Sequence, residues 1–302
     1  MKVVGLDLGG TKIAAGVFDG KRLLSKVVVP TPKEGGERVA EALAEAAERA
    51  EREAGVRGEA IGLGTPGPLD FRRGVIRFAP NIPGVQDFPI RRILEEATGR
   101  PVFLENDANA AALAEHHLGA AQGEESSLYL TVSTGIGGGV VLGGRVLRGE
   151  PGQGGEHGHL TLLPGGPACG CGLEGCLEAL AAGRALERDA TYAFQRPVDT
   201  RELFRLFQAG DPKAERLVLQ AARYVGIGLA SLVKAFDPGV VVLGGGVALN
   251  APEGYWEALL EAYRRCLQGW EAPPLRRARL GAEAGLLGAA LTAYLEVKDG
   301  SG

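Results

Sequence analysis

The sequence predicts an α/β protein of two domains, and three observations carry that prediction. The chain has 302 residues, and a domain averages roughly 150. A unit of strand, glycine-rich turn, strand, two-residue turn and strand occurs twice, near residues 3–29 and again near 128–147. Two such copies imply two similar domains rather than one continuous sheet. Helical patterns alternate with these strands and dominate the stretch that follows them. Glycine is the compositional outlier, with 48 residues, about twice average usage. Its positions are therefore informative.

Residues 2–8, 12–18 and 22–29 alternate apolar with small or polar side chains, as strands do. Gly9-Gly10-Thr11-Lys12 joins the first two, and Asp19-Gly20 is a hairpin signal between the second and third. Glu37 to Glu53 has helical spacing and stops at Gly55. A short strand, Ala60 to Gly64, runs into the turn Thr65-Pro66-Gly67-Pro68. A helix over Ile90 to Thr98 ends at Gly99. The strand Val102 to Glu105 then delivers Asn106 and Asp107 to the start of an alanine-rich helix.

The second copy begins with a strand over Leu128 to Val132. A glycine turn over Thr134 to Gly139 and the returning strand Val140 to Leu142 follow. Gly143-Gly144 supplies the next tip before Val146-Leu147. Gly152 to Glu178 is glycine-rich and holds three cysteines, so it is an ordered loop only if something staples it. Helices are expected over Arg184–Tyr192, Thr200–Gln208, Asp211–Phe236, Tyr255–Cys266 and Ala282–Leu295. Between them, the apolar strand Val240 to Leu243 ends in Gly244-Gly245-Gly246.

A net charge of −4 argues against a protein that coats nucleic acid or an anionic membrane. The basic cluster Arg276, Arg277 and Arg279 reads as a solvated helix or loop face. No unbroken apolar run approaches a transmembrane span, and Asp7 interrupts the region a signal peptide would need apolar. A cytoplasmic location is expected by default.

Three glycine-rich turns follow strands: Asp7-Leu8-Gly9-Gly10-Thr11-Lys12, Thr134 to Gly139, and Gly244 to Gly246. Such turns can point successive N–H groups at phosphate oxygens, though each alone is equally well a tight β-turn. With Asp7 able to hold Mg²⁺ and Thr11 or Lys12 near the phosphates, the trio favours a nucleotide. P-loop and dinucleotide fingerprints are absent. Asn106-Asp107 is either a helix N-cap or an Asp base for a substrate hydroxyl with Asn106 bonding a neighbouring one. Cys169, Cys171 and Cys176 with a histidine make a Cys₃His set for a structural, tetrahedral Zn²⁺, with His157 and His159 both eligible as the fourth ligand. Cys266 reads as a small buried apolar residue.

These motifs resemble the ROK family of repressors and sugar kinases. The likeness runs from Asp7–Lys12 to Gly244–Gly246. It is most specific over Val132 to Gly139, on through Gly149, Gly155 and Gly158-His159, and over Cys169-Gly170-Cys171-Gly172 with Gly175-Cys176-Leu177-Glu178. The resemblance implies the actin-like ATPase (ribonuclease H-like) fold, with two facing α/β domains around a central cleft. The first would be residues 1–110 with the C-terminal helix 285–302, and the second residues 111–284, carrying the zinc loop. It implies Mg²⁺-dependent transfer of phosphate from ATP to glucose or a related hexose, with Asp107 as base for the 6-hydroxyl. Asn106, Glu156, His159 and Glu178 would contact the sugar, and Gly67 and Asn81 would line the same pocket. Asp7, Gly9, Gly10, Thr11, Lys12, Thr134, Gly135, Gly137, Gly244, Gly245 and Gly246 would hold the nucleotide. His159, Cys169, Cys171 and Cys176 would bind zinc. A homodimer or homotetramer is the family expectation. The DNA-reading module of the repressor branch has no room before Asp7, so a DNA-binding regulator is not expected. A kinase for fructose, mannose or an N-acetylhexosamine and a non-catalytic sugar sensor are the competing readings.

Overall fold

The computed structural model describes residues 1–79, 82, 84–150 and 152–300. Strand β1 (Val3–Leu8) pairs antiparallel with β2 (Lys12–Phe18), Val3 facing Phe18 and Leu8 facing Ile13. β3 (Val27–Pro30) takes the outer edge of β2. Residues 22–26, expected within that third strand, lie outside it. Asp19 Oδ1 accepts the amides of Lys21 and Arg22 at 2.8 and 2.9 Å, a side-chain turn that delays re-pairing. Helix α1 (Gly36–Ala54) ends at Gly55 with φ 66°. β4 (Ile61–Thr65) runs parallel to β1.

Three short strands follow that the sequence did not reveal: β5 (Leu69–Asp70), β6 (Val75–Phe78) and β7 (Gln86–Phe88), an antiparallel sheet of its own. Strands this short carry too few residues for period-2 alternation to register. Helix α2 (Ile90–Thr98), β8 (Val102–Asn106) and α3 (Asp107–His117) come next, completing the first sheet in the order β3-β2-β1-β4-β8.

β9 (Ser126–Val132) and β10 (Ile136–Leu142) form the second hairpin, Val132 facing Ile136. The turn is therefore only Ser133-Thr134-Gly135, closed by the Ser133 amide on the Gly135 carbonyl at 2.9 Å. Gly137, Gly138 and Gly139, expected in the turn, belong to β10. Gly138 is glycine for packing: a Cβ there would lie 2.5 Å from both the His157 ring and the Tyr129 carbonyl. After β11 (Arg145–Val146) the chain turns mainly helical, with α4 (Leu177–Ala181), α5 (Gly183–Phe194), α6 (Thr200–Gln208) and α7 (Pro212–Phe236). β12 (Val240–Gly244) inserts parallel between β9 and β13 (Leu275–Arg277), with α8 (Gly246–Asn250) and α9 (Glu253–Cys266) between these two strands in sequence. α10 (Ala284–Asp299) is the last helix.

The chain divides into two compact units, Met1–Gln122 with Gly144–Gly154 and Leu280–Gly302, and Gly123–Gly143 with Gly155–Arg279. Residue 110 lies inside α3, which packs along α10, so the first unit continues to Gln122. Leu6, Leu8, Leu43, Ile61, Leu63 and Leu104 build its core, and Leu130, Val218, Val225, Leu229, Leu243 and Tyr255 that of the second. α7 is long and apolar enough to cross a membrane by length and composition alone, but most of its apolar stretch is buried against α9, α6 and α4. It is the central helix of a core. Arg276 and Arg277, expected on a helix or loop, stand on β13. Arg276 pairs with Glu124 at 2.7 Å, and Arg277 pairs with Glu253 at 3.1 Å and lies over Trp256. Charge on an edge strand discourages further pairing.

In the first unit α10 touches β4 and α3 backbone to backbone. A Cβ at Gly62 would lie 1.8 Å from the Ala289 carbonyl oxygen, and one at Gly288 1.8 Å from that of Ala110. Neither neighbour is a flexible side chain. Gly288→Ala is expected to lower stability by about 1–3 kcal/mol through overpacking. The check is a drop in the urea midpoint with an unchanged slope.

Candidate active site and metal centre

Within the first unit, β1 carries Asp7 to the first turn of α10. A Cβ at Gly285 would lie 2.7 Å from Asp7 Oδ2, so the missing side chain is what admits the carboxylate against that turn. Burial foremost, then the charge of Asp107, pushes the Asp7 carboxyl up to about 6, with Lys12 opposing. Asp107 opens α3. Water still reaches it, yet desolvation by the surrounding protein holds its carboxyl above the ordinary range, although it accepts the Ala108 amide at 2.8 Å.

The N-cap of α3 is Asn106. Its Oδ1 accepts the amides of Ala108 and Asn109 at 2.9 and 3.3 Å. The cap reading of this pair falls on Asn106, which leaves Asp107 as the first residue of the helix. Gly67 lies beside Asn106, since a Cβ on it would come within 3.2 Å of Asn106 Nδ2. The Gly9–Lys12 turn is closed by the Gly9 amide on the Lys12 carbonyl at 2.9 Å. Thr31 buttresses it through its hydroxyl on the Gly9 carbonyl at 2.7 Å, leaving Thr11 and Lys12 exposed. Asn81 lies outside the described residues.

In the second unit, ligand atoms of His159, Cys169, Cys171 and Cys176 lie within 4.8 Å of one another. Cys169 Sγ is 3.5 Å from His159 Nδ1, and Cys171 Sγ is 3.7 Å from Cys176 Sγ. Ligands at zinc bond lengths on a tetrahedron stand roughly 3.5 Å (S to N) and 3.8 Å (S to S) apart. A disulfide would need about 2.0 Å. The donor set fits zinc. His157, the rival ligand, is buried under Gly138 and against Phe236, where desolvation draws its imidazole down to about 4.

Acids lie on both sides of the cluster. His159 Nε2, the nitrogen away from Cys169, is 3.9 Å from Glu156. Cys176 is the N-cap of α4, and two residues on, Glu178 accepts the Ile136 amide at 2.9 Å. Gly135 makes room for it, because a Cβ there would lie 2.6 Å from Glu178 Oε2.

Beside the same turn lies a pocket of about 590 Å³ whose lining includes Thr134, Arg184, Thr200, Phe204 and Gly246. The amides of Gly183 and Arg184 bond the carbonyls of Ser133 and Thr134 at 2.8 and 3.2 Å, so the start of α5 is tied to the turn. Thr134 and Gly246, assigned to nucleotide from sequence, meet here. At Gly244 and Gly245 the Cβ direction points at protein, a Cβ at either falling within 2.8 Å of Tyr129 or Val132. Gly137 sits in β10 opposite Thr131. The α5 and α6 residues of this pocket escaped the sequence reading, because helical periodicity shows which face is apolar but not which face lines a cavity.

The model of the ROK family matches residues 3–295. A glucokinase of Streptomyces coelicolor is 38% identical over 95% of this chain and 96% of its own length. Among solved structures, a ROK hexokinase from Thermus thermophilus superposes with TM-score 0.97 at 98% identity, over 99% of this chain and 100% of that one. A ROK family glucokinase from Streptomyces griseus, in complex with glucose and AMPPNP, gives 0.79 at 37% identity, over 96% and 98%. The fold is thus that of the actin-like ATPase sugar kinases. This chain belongs to the ROK family.

A carboxyl raised to about 6 in the fold against 3.8 when free binds its proton more tightly in the native state. Its stabilising contribution is full below about pH 4 and is lost as pH rises through about 6. Asp7→Asn cannot ionise. Without divalent ions or nucleotide, it should melt above the parent at pH 7.5, with the gain vanishing near pH 4. Melting curves at both values test this.

Proposed function

We propose that this chain transfers the γ-phosphoryl group of ATP to the 6-hydroxyl of glucose, with Asp107 as general base. The observation that carries the reading is the division of labour at the start of α3: Asn106 takes the cap, and Asp107 keeps a solvent-reachable carboxylate of raised pKa. A base is most effective when its pKa approaches the working pH. The glucokinases among the relatives, one of them with glucose and AMPPNP bound, favour glucose as acceptor.

Asp107 accepts the proton of the 6-hydroxyl as its oxygen bonds to the γ-phosphorus and ADP leaves. Asn106 offers Nδ2, its Oδ1 being engaged in the cap. Glu156 and Glu178 accept from sugar hydroxyls. His159, with Nδ1 turned to the cysteines, presents Nε2–H as a donor. The Gly9–Lys12 and Ser133–Gly135 turns take phosphate oxygens, and the 590 Å³ pocket takes the adenosine. Asp7 is the carboxylate that would hold hydrated Mg²⁺, which supplies charge neutralisation on the phosphates. The Cys₃His set holds a structural zinc. With four protein ligands, it leaves no open position for chemistry. The same reading places the enzyme in the cytoplasm as a homodimer or homotetramer.

Asp107→Ala should lower kcat by roughly 10²-fold or more while the KM for glucose changes far less. Coupled assay of glucose 6-phosphate formation measures both, and near-normal turnover would remove the base assignment. Cys171→Ser should lose bound zinc by elemental analysis, melt earlier and raise the KM for glucose, because the loop that orients Glu156 and the start of α4 loosens. A zinc-free variant with parental KM would contradict the staple.

A further inference from the structure

Strand β8 holds a carboxylate that the reaction as described does not use. Glu105 is fully buried, at 0% exposure. Its Oε1 accepts the Asn106 amide at 3.0 Å and Asn109 Nδ2 at 3.2 Å. Its Oε2 accepts Arg148 Nε at 2.7 Å. Arg148 in turn donates through Nη1 to Glu296 of α10 at 3.1 Å, and its guanidinium lies over the Phe71 ring at 5.4 Å. All of these residues belong to the first unit.

Asp107 sits between the two groups that Glu105 holds, one residue after Asn106 and two before Asn109. A carboxylate without water keeps its charge and orientation only when a cation is bonded to it. Burial pushes Glu105 up, and Arg148 is the leading influence in the opposite direction. The guanidinium is already committed on two nitrogens, an arrangement suited to holding protein groups. Arg148 also closes its own loop, its carbonyl accepting the Gly154 amide at 2.8 Å.

We propose that Arg148, acting through Glu105, is a positioning residue for Asp107, clamping the first turn of α3 from both sides so that the carboxylate keeps its reactive orientation. The proposal rests on the reading of Asp107 as the base. Displacement of a reacting group by about 1 Å costs on the order of 10²-fold in rate, so a loosened turn should register in kcat before it registers in binding.

The test compares Arg148→Met, Arg148→Lys, the double variant Glu105→Gln/Arg148→Met, and Arg148→Met in an Asp107→Ala background. Melting curves establish that each is folded. Arg148→Met should lower kcat by about 10-fold or more, with both KM values within about 3-fold of the parent. The double variant should regain most of that kcat, because the unpaired buried charge is gone and the Gln carbonyl can still accept from Asn106 and Asn109. With Asp107→Ala already present, Arg148→Met should cost less than about 2-fold more. Arg148→Lys, which keeps the charge but not the two-nitrogen span, should fall between. If Arg148→Met does not fold, Arg148→Lys and the double variant carry the comparison, both leaving the pair neutral overall.

Parental kcat in Arg148→Met overturns the proposal. So does a loss that persists in the double variant and in the Asp107→Ala background, since Arg148 would then act independently of both partners. Full activity of Asp107→Ala alone retires the base reading and this proposal with it. A crippled Asp107→Ala beside a fully active Arg148→Met retires only the proposal.

Discussion

The contact between α10 and the strands beneath it governs the first unit. Cβ atoms at Gly5 and Gly62 would meet α10 carbonyl oxygens at 2.7 and 1.8 Å, and one at Gly288 would meet that of Ala110 in α3 at 1.8 Å, so α10 approaches both the sheet and α3 to the limit that bare backbone allows. Glycine inside a helix or strand costs roughly 0.5–1 kcal/mol relative to alanine. Here the close approach offsets that cost with dispersion contacts along the whole helix. The same helix packs on β1, β4 and α3, so it touches the strand carrying Asp7 and the helix opened by Asp107. Gly285 extends the pattern to chemistry, because the room it leaves is filled by a carboxylate rather than by backbone.

Two carboxylates set close enough to repel each other are costly in a protein interior, and the cost is informative. Asp7 is raised partly by the charge of Asp107. A structural role would be served as well by asparagine, without the repulsion. A divalent cation held by Asp7 would relieve the repulsion by supplying positive charge. Perturbed carboxyls of this kind gather where protons and charge must move.

The second unit solves a different problem. Residues 155–176 contain little regular structure, and α4 has only five residues, too few to hold a helix unaided. The thiol and imidazole donors come within 4.8 Å of one another, where a bound zinc would fix the loop; Cys176 caps α4, and Glu178 in its first turn bonds the Ile136 amide. A metal-binding geometry is thereby linked to the glycine turn beside the 590 Å³ pocket through one short helix and one hydrogen bond.

Much of this was legible in the residues. The strand–turn–strand repeat marked both hairpins, the cysteine spacing marked the Cys₃His cluster that the fold gathers, and of the two readings of Asn106-Asp107 the cap falls on Asn106. Other features were not. Gly137, Gly138 and Gly139 looked like a turn and are strand, since only the fold brings the His157 ring and the Tyr129 carbonyl against Gly138. Spacing alone left His157 and His159 both eligible beside the cysteines and the family resemblance favoured His159; packing buries His157 beside Phe236 and turns His159 to Cys169. The clamp of Glu105 by Arg148 joins residues 43 positions apart. The amino-acid sequence by itself determined the type of most elements and the donor chemistry, because periodicity, capping and spacing are local and survive without a fold, and its motifs carried the family resemblance. Tertiary structure alone decided which glycines line a cavity, which histidine meets the thiols and which cation meets Glu105. Those outcomes depend on what long-range packing places within a few ångströms, and no local pattern encodes it.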